Sequence, residues 1–219
     1  MSNKMRLLLS KTGRAKYISH LDLMATMRRG LLRAGVPLKY SEGFNPHPYM
    51  SAALPLPVGV GSICELMDFG TVAGYLPPDD LPLKITDALP EGIEVFQVYT
   101  PRRKFAEIAW IAVKGSLVYD APHPKAAEIL AEVYAAESIV ISKKTKRGVS
   151  EVDIAPLIRD IKLQGDGEII ISGKISAQNP SLSTENLISA LSVGNAGLAP
   201  DYSTFERTEL FDSDMNIFR

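Results

Sequence analysis

Ser19-His-Leu-Asp-Leu-Met-Ala-Thr-Met-Arg-Arg-Gly-Leu-Leu-Arg-Ala-Gly-Val-Pro37 is the stretch from which the fold is read. Ser19 and Asp22 form a capping box: the Ser19 hydroxyl can accept from the Asp22 amide, and the Asp22 carboxylate can reach back. Leu23, Met24, Met27, Leu31 and Ala34 recur at helical spacing and make an apolar stripe. Asp22, Thr26, Arg29 and Arg33 share the opposite face. Gly35 suits the left-handed position that closes a helix, and Pro37 bars its continuation. The spacing predicts an amphipathic helix over residues 19–34 whose stripe must be covered by other elements.

Upstream, residues 5–10 read as a buried strand, followed by a basic turn, Lys11-Thr-Gly-Arg-Ala-Lys16. Downstream, residues 50–57 and 63–72 read as strands, 81–89 as a short helix after Pro77-Pro-Asp-Asp80, and 93–99 as an alternating strand. The order β-α-β-β-α-β is the ferredoxin-like plan, a layer of helices on an antiparallel sheet. Thr100-Pro-Arg-Arg-Lys-Phe105 reads as a linker. Beyond it the pattern resumes: a strand at 109–119, a helix at 124–136, a strand at 138–144 and a short helix at 154–161 started by Pro156. A hairpin follows, 161–164 with 168–176, turning on Gly165-Asp-Gly167. The last helix, 184–191, is capped by Ser183. The expected fold is α+β, two tandem ferredoxin-like two-layer sandwiches at 1–104 and 105–219. This rests on element order, since no sequence repeat is visible. The tail, 201–219, has five acidic and two basic residues and is expected to be partly disordered.

At 219 residues, 46% hydrophobic and 22% charged, the composition is that of a globular protein. No apolar run approaches the roughly 20 residues that span a bilayer, and the N-terminus does not read as a signal peptide. Cys64 is the single cysteine, which excludes an internal disulfide, a cysteine-built zinc site and a thiolate-bound iron–sulfur cluster within this chain. A cytoplasmic location without a membrane partner is expected. The formal charge of -1 conceals a division. Residues 1–60 hold nine Lys/Arg and two Asp/Glu, and the rest hold fifteen and twenty-three. Local charge decides what a surface attracts, so a polyanion is the first ligand to consider for the N-terminal segment.

The most unusual stretch is Tyr40-Ser-Glu-Gly-Phe-Asn-Pro-His-Pro-Tyr49. Pro46 and Pro48 fix their own φ and push Asn45 and His47 toward extended geometry. A stiff loop suits recognition because little entropy is lost on binding. Phe44 or Tyr49 can stack on a base and Asn45 can hydrogen-bond a base edge; the alternative is a rigid crossover whose aromatics plug the core. Lys11, Arg14, Arg28, Arg29 and Lys39 are candidate phosphate contacts; the alternative is a solvated surface. His20 and His47 are candidate general acid and base, although His20 at a helix start also serves simply as a tolerated polar residue. Their spacing with Asp22 does not specify a metal site, and neither metal nor cofactor is expected. His123, between prolines, and Cys64, in a strand, read as structural. Phosphate-binding loop, dinucleotide and nucleophile-elbow motifs are missing.

Lys11-Thr-Gly-Arg14, Ser19-His-Leu-Asp-Leu-Met24, Arg28-Arg29, the Gly43-Phe-Asn-Pro-His-Pro48 string, Ser51, Leu54-Pro-Leu-Pro-Val-Gly59 and Val152-Asp-Ile-Ala-Pro-Leu-Ile158 resemble a bacterial radical-SAM-linked domain of unknown function. The likeness covers about residues 4–195. Where that family tends to carry a basic residue after His-Pro, this chain has Tyr49. The resemblance implies a free-standing or fused accessory domain beside a radical S-adenosylmethionine protein or a ribonuclease, in RNA and ribosome metabolism. The radical chemistry would belong to the partner. The expected function is binding of RNA, tRNA or rRNA, with Lys11, Arg14, Arg28, Arg29 and Lys39 on phosphates and Phe44, Asn45 and His47 on a base. The alternatives are a protein-only adaptor for the radical enzyme and a metal-independent ribonuclease using His20 and His47.

Overall fold

The computed structural model describes residues 3–120, 125–145, 148–165, 168–192 and 199–219. They form an α+β protein of mostly antiparallel strands and helices. It divides into two compact units, Met1–Glu107 with Arg219, and Ile108–Phe218.

The first unit runs β1 (Asn3–Lys11), a 3-10 turn (Gly13–Tyr17), α1 (His20–Arg33), β2 (Met50–Ala52), β3 (Gly61–Thr71), α2 (Leu81–Asp87) and β4 (Val95–Tyr99). β1 lies antiparallel between β4 and β3, and β2 pairs with β3. The α1 stripe is buried as expected: Leu23, Met27 and Leu31 pack with Leu7 and Leu9 of β1, Met67 and Phe69 of β3, and Leu81 and Ile85 of α2. Burying each such side chain contributes about 1.5–3 kcal/mol, so this stripe is what fastens the helix. At its start the Ser19 hydroxyl accepts from the Asp22 amide (3.2 Å) and donates to the Asp22 carboxylate (2.7 Å). The carboxylate thus meets the hydroxyl rather than the amide of Ser19. At its end Gly35 takes φ +79°, the left-handed closure.

The strand expected at 50–57 is shorter. Only Met50–Ala52 pairs, because Pro55 and Pro57 have no N–H for a ladder. The first unit ends after Glu107, beyond the expected division at 104. Phe105 lies under the Arg6 guanidinium (4.2 Å), and the Arg103 carbonyl accepts from Arg6 (2.9 Å). These contacts bind the segment after β4 to β1.

The second unit contains β5 (Trp110–Val118), α3 (Ala126–Ala135), β6 (Val140–Thr145), β7 (Gly148–Asp153), a 3-10 turn (Ala155–Leu157), β8 (Ile158–Gln164), β9 (Glu168–Ser176), α4 (Thr184–Ser189) and β10 (Tyr202–Phe211). Its main sheet has the order β10-β5-β9-β8, and β6 and β7 form a separate hairpin. Ser183 caps α4, accepting from the Asn186 amide at 3.1 Å. Two expectations are corrected here. Residues 154–161 are not a helix: after one 3-10 turn the chain enters β8. A register shift between Arg159 and Lys162, with Asp160 at φ +53°, interrupts the alternation that would have marked the strand. Residues 148–153 form β7, which pairs antiparallel with β6. The tail is not disordered. β10 pairs along β5 and buries Phe205 and Leu210, and Phe218 beyond it is also buried. The strand hides its period because its other face carries Glu206 and Glu209 beside Thr208. His123, the start of the expected 124–136 helix, residues 146–147 and the turn residues 166–167 lie outside the described residues.

Candidate functional site

The 40–49 loop is a hairpin built onto β3. The Lys39 amide donates to the Gly70 carbonyl (2.9 Å), the Gly70 amide to Tyr49 (2.8 Å) and the Tyr49 amide to Lys39 (3.1 Å). Gly70 permits this closeness, since a Cβ there would stand 3.3 Å from the Tyr49 Cβ. One step outward, the Ser41 amide donates to the His47 carbonyl (2.8 Å) and the His47 amide to the Ser41 hydroxyl (3.1 Å). The His47 Nδ1 lies 3.1 Å from the Ser41 Oγ and 3.3 Å from the Asn45 carbonyl oxygen. The ring is therefore held from one edge. The tip, residues 42–46, is exposed throughout, with Gly43 at φ +114°. Phe44 is fully exposed. Its ring does not plug the core; backbone hydrogen bonds hold the stem and leave the ring outside.

Beneath the stem lies a cleft of about 420 Å³, lined among others by Lys4, Lys39, His47, Tyr49, Ser51 and Asp68. Its floor belongs to a polar row across the first sheet. Tyr99 faces Arg6, Arg6 faces Asp68, and Asp68 faces Ser51 in register. Arg6 and Asp68 are 0% and 2% exposed and are joined by two bonds, Nε to Oδ1 (2.6 Å) and Nη2 to Oδ2 (3.1 Å). Lys4, 57% exposed, adds its ammonium at 2.7 Å from Oδ2. Burial pushes the Tyr99 hydroxyl above its ordinary titration range, and the Arg6 charge opposes that rise. Lys39 stands 5.6 Å above the Tyr49 ring.

Arg14, on the 3-10 turn, and Arg28 and Arg29, on α1, are exposed. With Lys39 they have no carboxylate partner among the described residues. Lys11 is corrected: it is 1% exposed, at the end of β1, and donates to the Lys16 carbonyl (3.1 Å). It cannot meet a phosphate without leaving the fold. His20 is half-buried at the first position of α1 and is not among the residues lining the cleft with His47. Among the described residues no group of three metal-ligating side chains is found. Cys64 is buried.

Lys4, Ser51 and Asp68 were not anticipated. One signal existed for Asp68: a carboxylate between Met67 and Phe69, like Arg6 between Met5 and Leu7, needs a partner if its strand is buried.

No curated protein matches the chain. Among solved structures, an unknown protein from Galdieria sulphuraria is 9% identical, with 94% of this chain and 99% of that chain covered and a TM-score of 0.27. DyPB from Rhodococcus jostii RHA1 is 14% identical, with 94% and 92% covered and a TM-score of 0.20. Scores this low define neither a shared fold nor a shared site. No helix among the described residues is long and apolar enough to cross a membrane. Residues 4–199 match the family model described as "Uncharacterized protein conserved in bacteria (DUF2344)", and the chain belongs to that family.

Proposed function

We propose that this is an accessory RNA-binding protein that works beside a radical S-adenosylmethionine enzyme or a ribonuclease in the cytoplasm. The observation that carries the RNA part is the set of exposed cations on the first unit that have no carboxylate partner among the described residues: Arg14, Arg28, Arg29 and Lys39. Each such charge attracts phosphate and releases counterions when it binds. The exposed Phe44, with Asn45 and His47 on the same stiffened hairpin, supplies a ring for stacking and polar groups for a base edge. The enzyme partner rests on the resemblance of the motifs to radical-SAM-linked domains. We also read each unit as a ferredoxin-like sandwich. In support, both have a four-strand order in which the first strand of the unit lies between the last and the third: β4-β1-β3 with β2, and β10-β5-β9-β8. In the second unit the β6–β7 hairpin is then an insertion.

The test is binding of purified protein to total cellular RNA at two salt concentrations, with Arg14→Glu, Arg29→Glu and Phe44→Ala alongside. The expected result is affinity that falls with salt, a shallower salt slope for each Arg→Glu variant, and a loss with unchanged slope for Phe44→Ala. Failure to bind at low salt would remove this reading. A second reading, a protein-only adaptor, is favoured by the exposed Leu21, Leu76 and Leu83 of the same unit. It predicts weakly salt-dependent association with the enzyme partner and no RNA affinity.

A further inference from the structure

We infer that the cleft under the hairpin holds one phosphate-bearing nucleotide, its phosphate on Lys4 and Lys39 and its ring against Tyr49. This rests on the RNA-binding reading, which it deepens by naming the unit taken at this site, and the two can fail separately.

Charge comes first. Asp68 is the sole carboxylate among the lining residues, and Arg6 already holds it with two hydrogen bonds from behind. Counting Arg6, Lys4 and Lys39 against Asp68 leaves three positive charges facing one negative. The surplus resides on the two ammonium groups that can reach solvent, since Lys4 and Lys39 are exposed whereas Arg6 is buried. An anion is therefore favoured, and a metal cation is not, because Asp68 has no oxygen left unengaged by a cation. Size comes next. At about 420 Å³ the cleft is in the range of small-ligand sites and admits a single nucleotide, not a helix. The walls distinguish a nucleotide from a simple anion. Tyr49, half exposed, stands with Pro48 and Met50 as an apolar face, and Lys39 is 5.6 Å from the Tyr49 ring. A cationic group and a stacking surface at that separation match a phosphate and the ring system joined to it. The stem cannot collapse into the cleft, because its backbone is bonded to Gly70 on both sides.

The nucleotide has two sources, a free mononucleotide or one nucleotide of an RNA strand. The experiment is calorimetric titration with the four nucleoside 5′-monophosphates, their parent nucleosides, inorganic phosphate and a single-stranded oligoribonucleotide. The wild-type chain is compared with Lys4→Gln, Lys39→Gln and Tyr49→Ala, and thermal melting checks each fold. Lys4→Gln and Tyr49→Leu serve as the decisive pair if Tyr49→Ala loosens the hairpin. Each substitution is expected to weaken nucleotide or oligonucleotide binding about three- to tenfold, and nucleosides lacking phosphate should bind more weakly than their phosphates. Mononucleotide binding with this dependence, without oligonucleotide binding, would sustain the cleft and remove the RNA reading. Oligonucleotide binding alone, with the same dependence on Lys4 and Tyr49, would make RNA the source. Oligonucleotide binding that responds to Arg14→Glu but not to Lys4→Gln or the Tyr49 variants overturns the cleft and leaves the RNA reading standing. Binding of inorganic phosphate as tightly as any nucleotide, or of no ligand at all, also overturns it.

Discussion

Asp68 shows how one carboxylate serves both stability and the cleft. Its partner Arg6 is fully buried, so removing the carboxylate strands a guanidinium in the interior, whereas Lys4 remains hydrated if it loses Asp68. Asp68→Ala is expected to destabilise the first unit by about 3–5 kcal/mol, and Lys4→Ala by under about 1 kcal/mol. Urea titration followed by circular dichroism measures both; equal costs would mean that the two ion pairs are equivalent and the burial difference irrelevant. Phe44 behaves oppositely. Its ring meets no core, so Phe44→Ala should change stability by less than about 0.5 kcal/mol while ligand affinity falls. A folded-state loss above that would show that the ring is structural. At this scale the sequence was half legible. Pro46 and Pro48 announced a stiff loop but not its hairpin pairing, and the exposure of Phe44 then separated display from core plugging. The cleft was not legible, because Lys4, Lys39, Tyr49 and Asp68 meet only through the register of β1 and β3 and the hairpin's grip on Gly70.

Among elements, the helices with caps were the most readable, since Ser19 and Ser183 mark their starts through a local hydrogen bond that needs no tertiary context. β8 was misread because its bulge at Asp160 breaks the period of two on which strand recognition depends. One buried hydrogen bond links α3 to α4: the Tyr134 hydroxyl donates to the Leu187 carbonyl at 2.9 Å. Burial, with a smaller contribution from Tyr119, pushes that hydroxyl well above the ordinary tyrosine value. A raised folded-state value means that the unfolded chain ionises first. The contribution to stability is therefore complete below about pH 10 and declines as pH rises above it. Tyr134→Phe should cost about 1 kcal/mol near neutrality and should lessen the fall in stability between roughly pH 10 and 11.5. Denaturant midpoints across that range test the sign. A variant that loses stability more steeply with alkali than the parent would contradict the assignment.

At the scale of the whole molecule, the acidic tail changes meaning once its pairing is known. Composition alone suggested a solvated appendage, because charge and the lack of a strict alternation concealed Phe205 and Leu210. The second unit nevertheless uses residues 202–211 as the antiparallel neighbour of β5, and Phe218 returns to the same core through the bridge between Phe211 and Ile217. A chain ending at Pro200 would expose one edge of β5 and empty the places of Phe205, Leu210 and Phe218. At about 1.5–3 kcal/mol for each of these side chains, the loss approaches the roughly 5–15 kcal/mol that holds a typical domain folded. The truncated protein should therefore lose slow hydrogen exchange along β5 and β9 while the amides of β1 and β3 are followed as the internal comparison. Retained protection in β5 would mean that the second unit is stable without its last strand and that the tail is an appendage after all. Loss of protection there, with exchange in the first unit unchanged, would establish residues 201–219 as a folding requirement of the second unit and not of the site carried by the first.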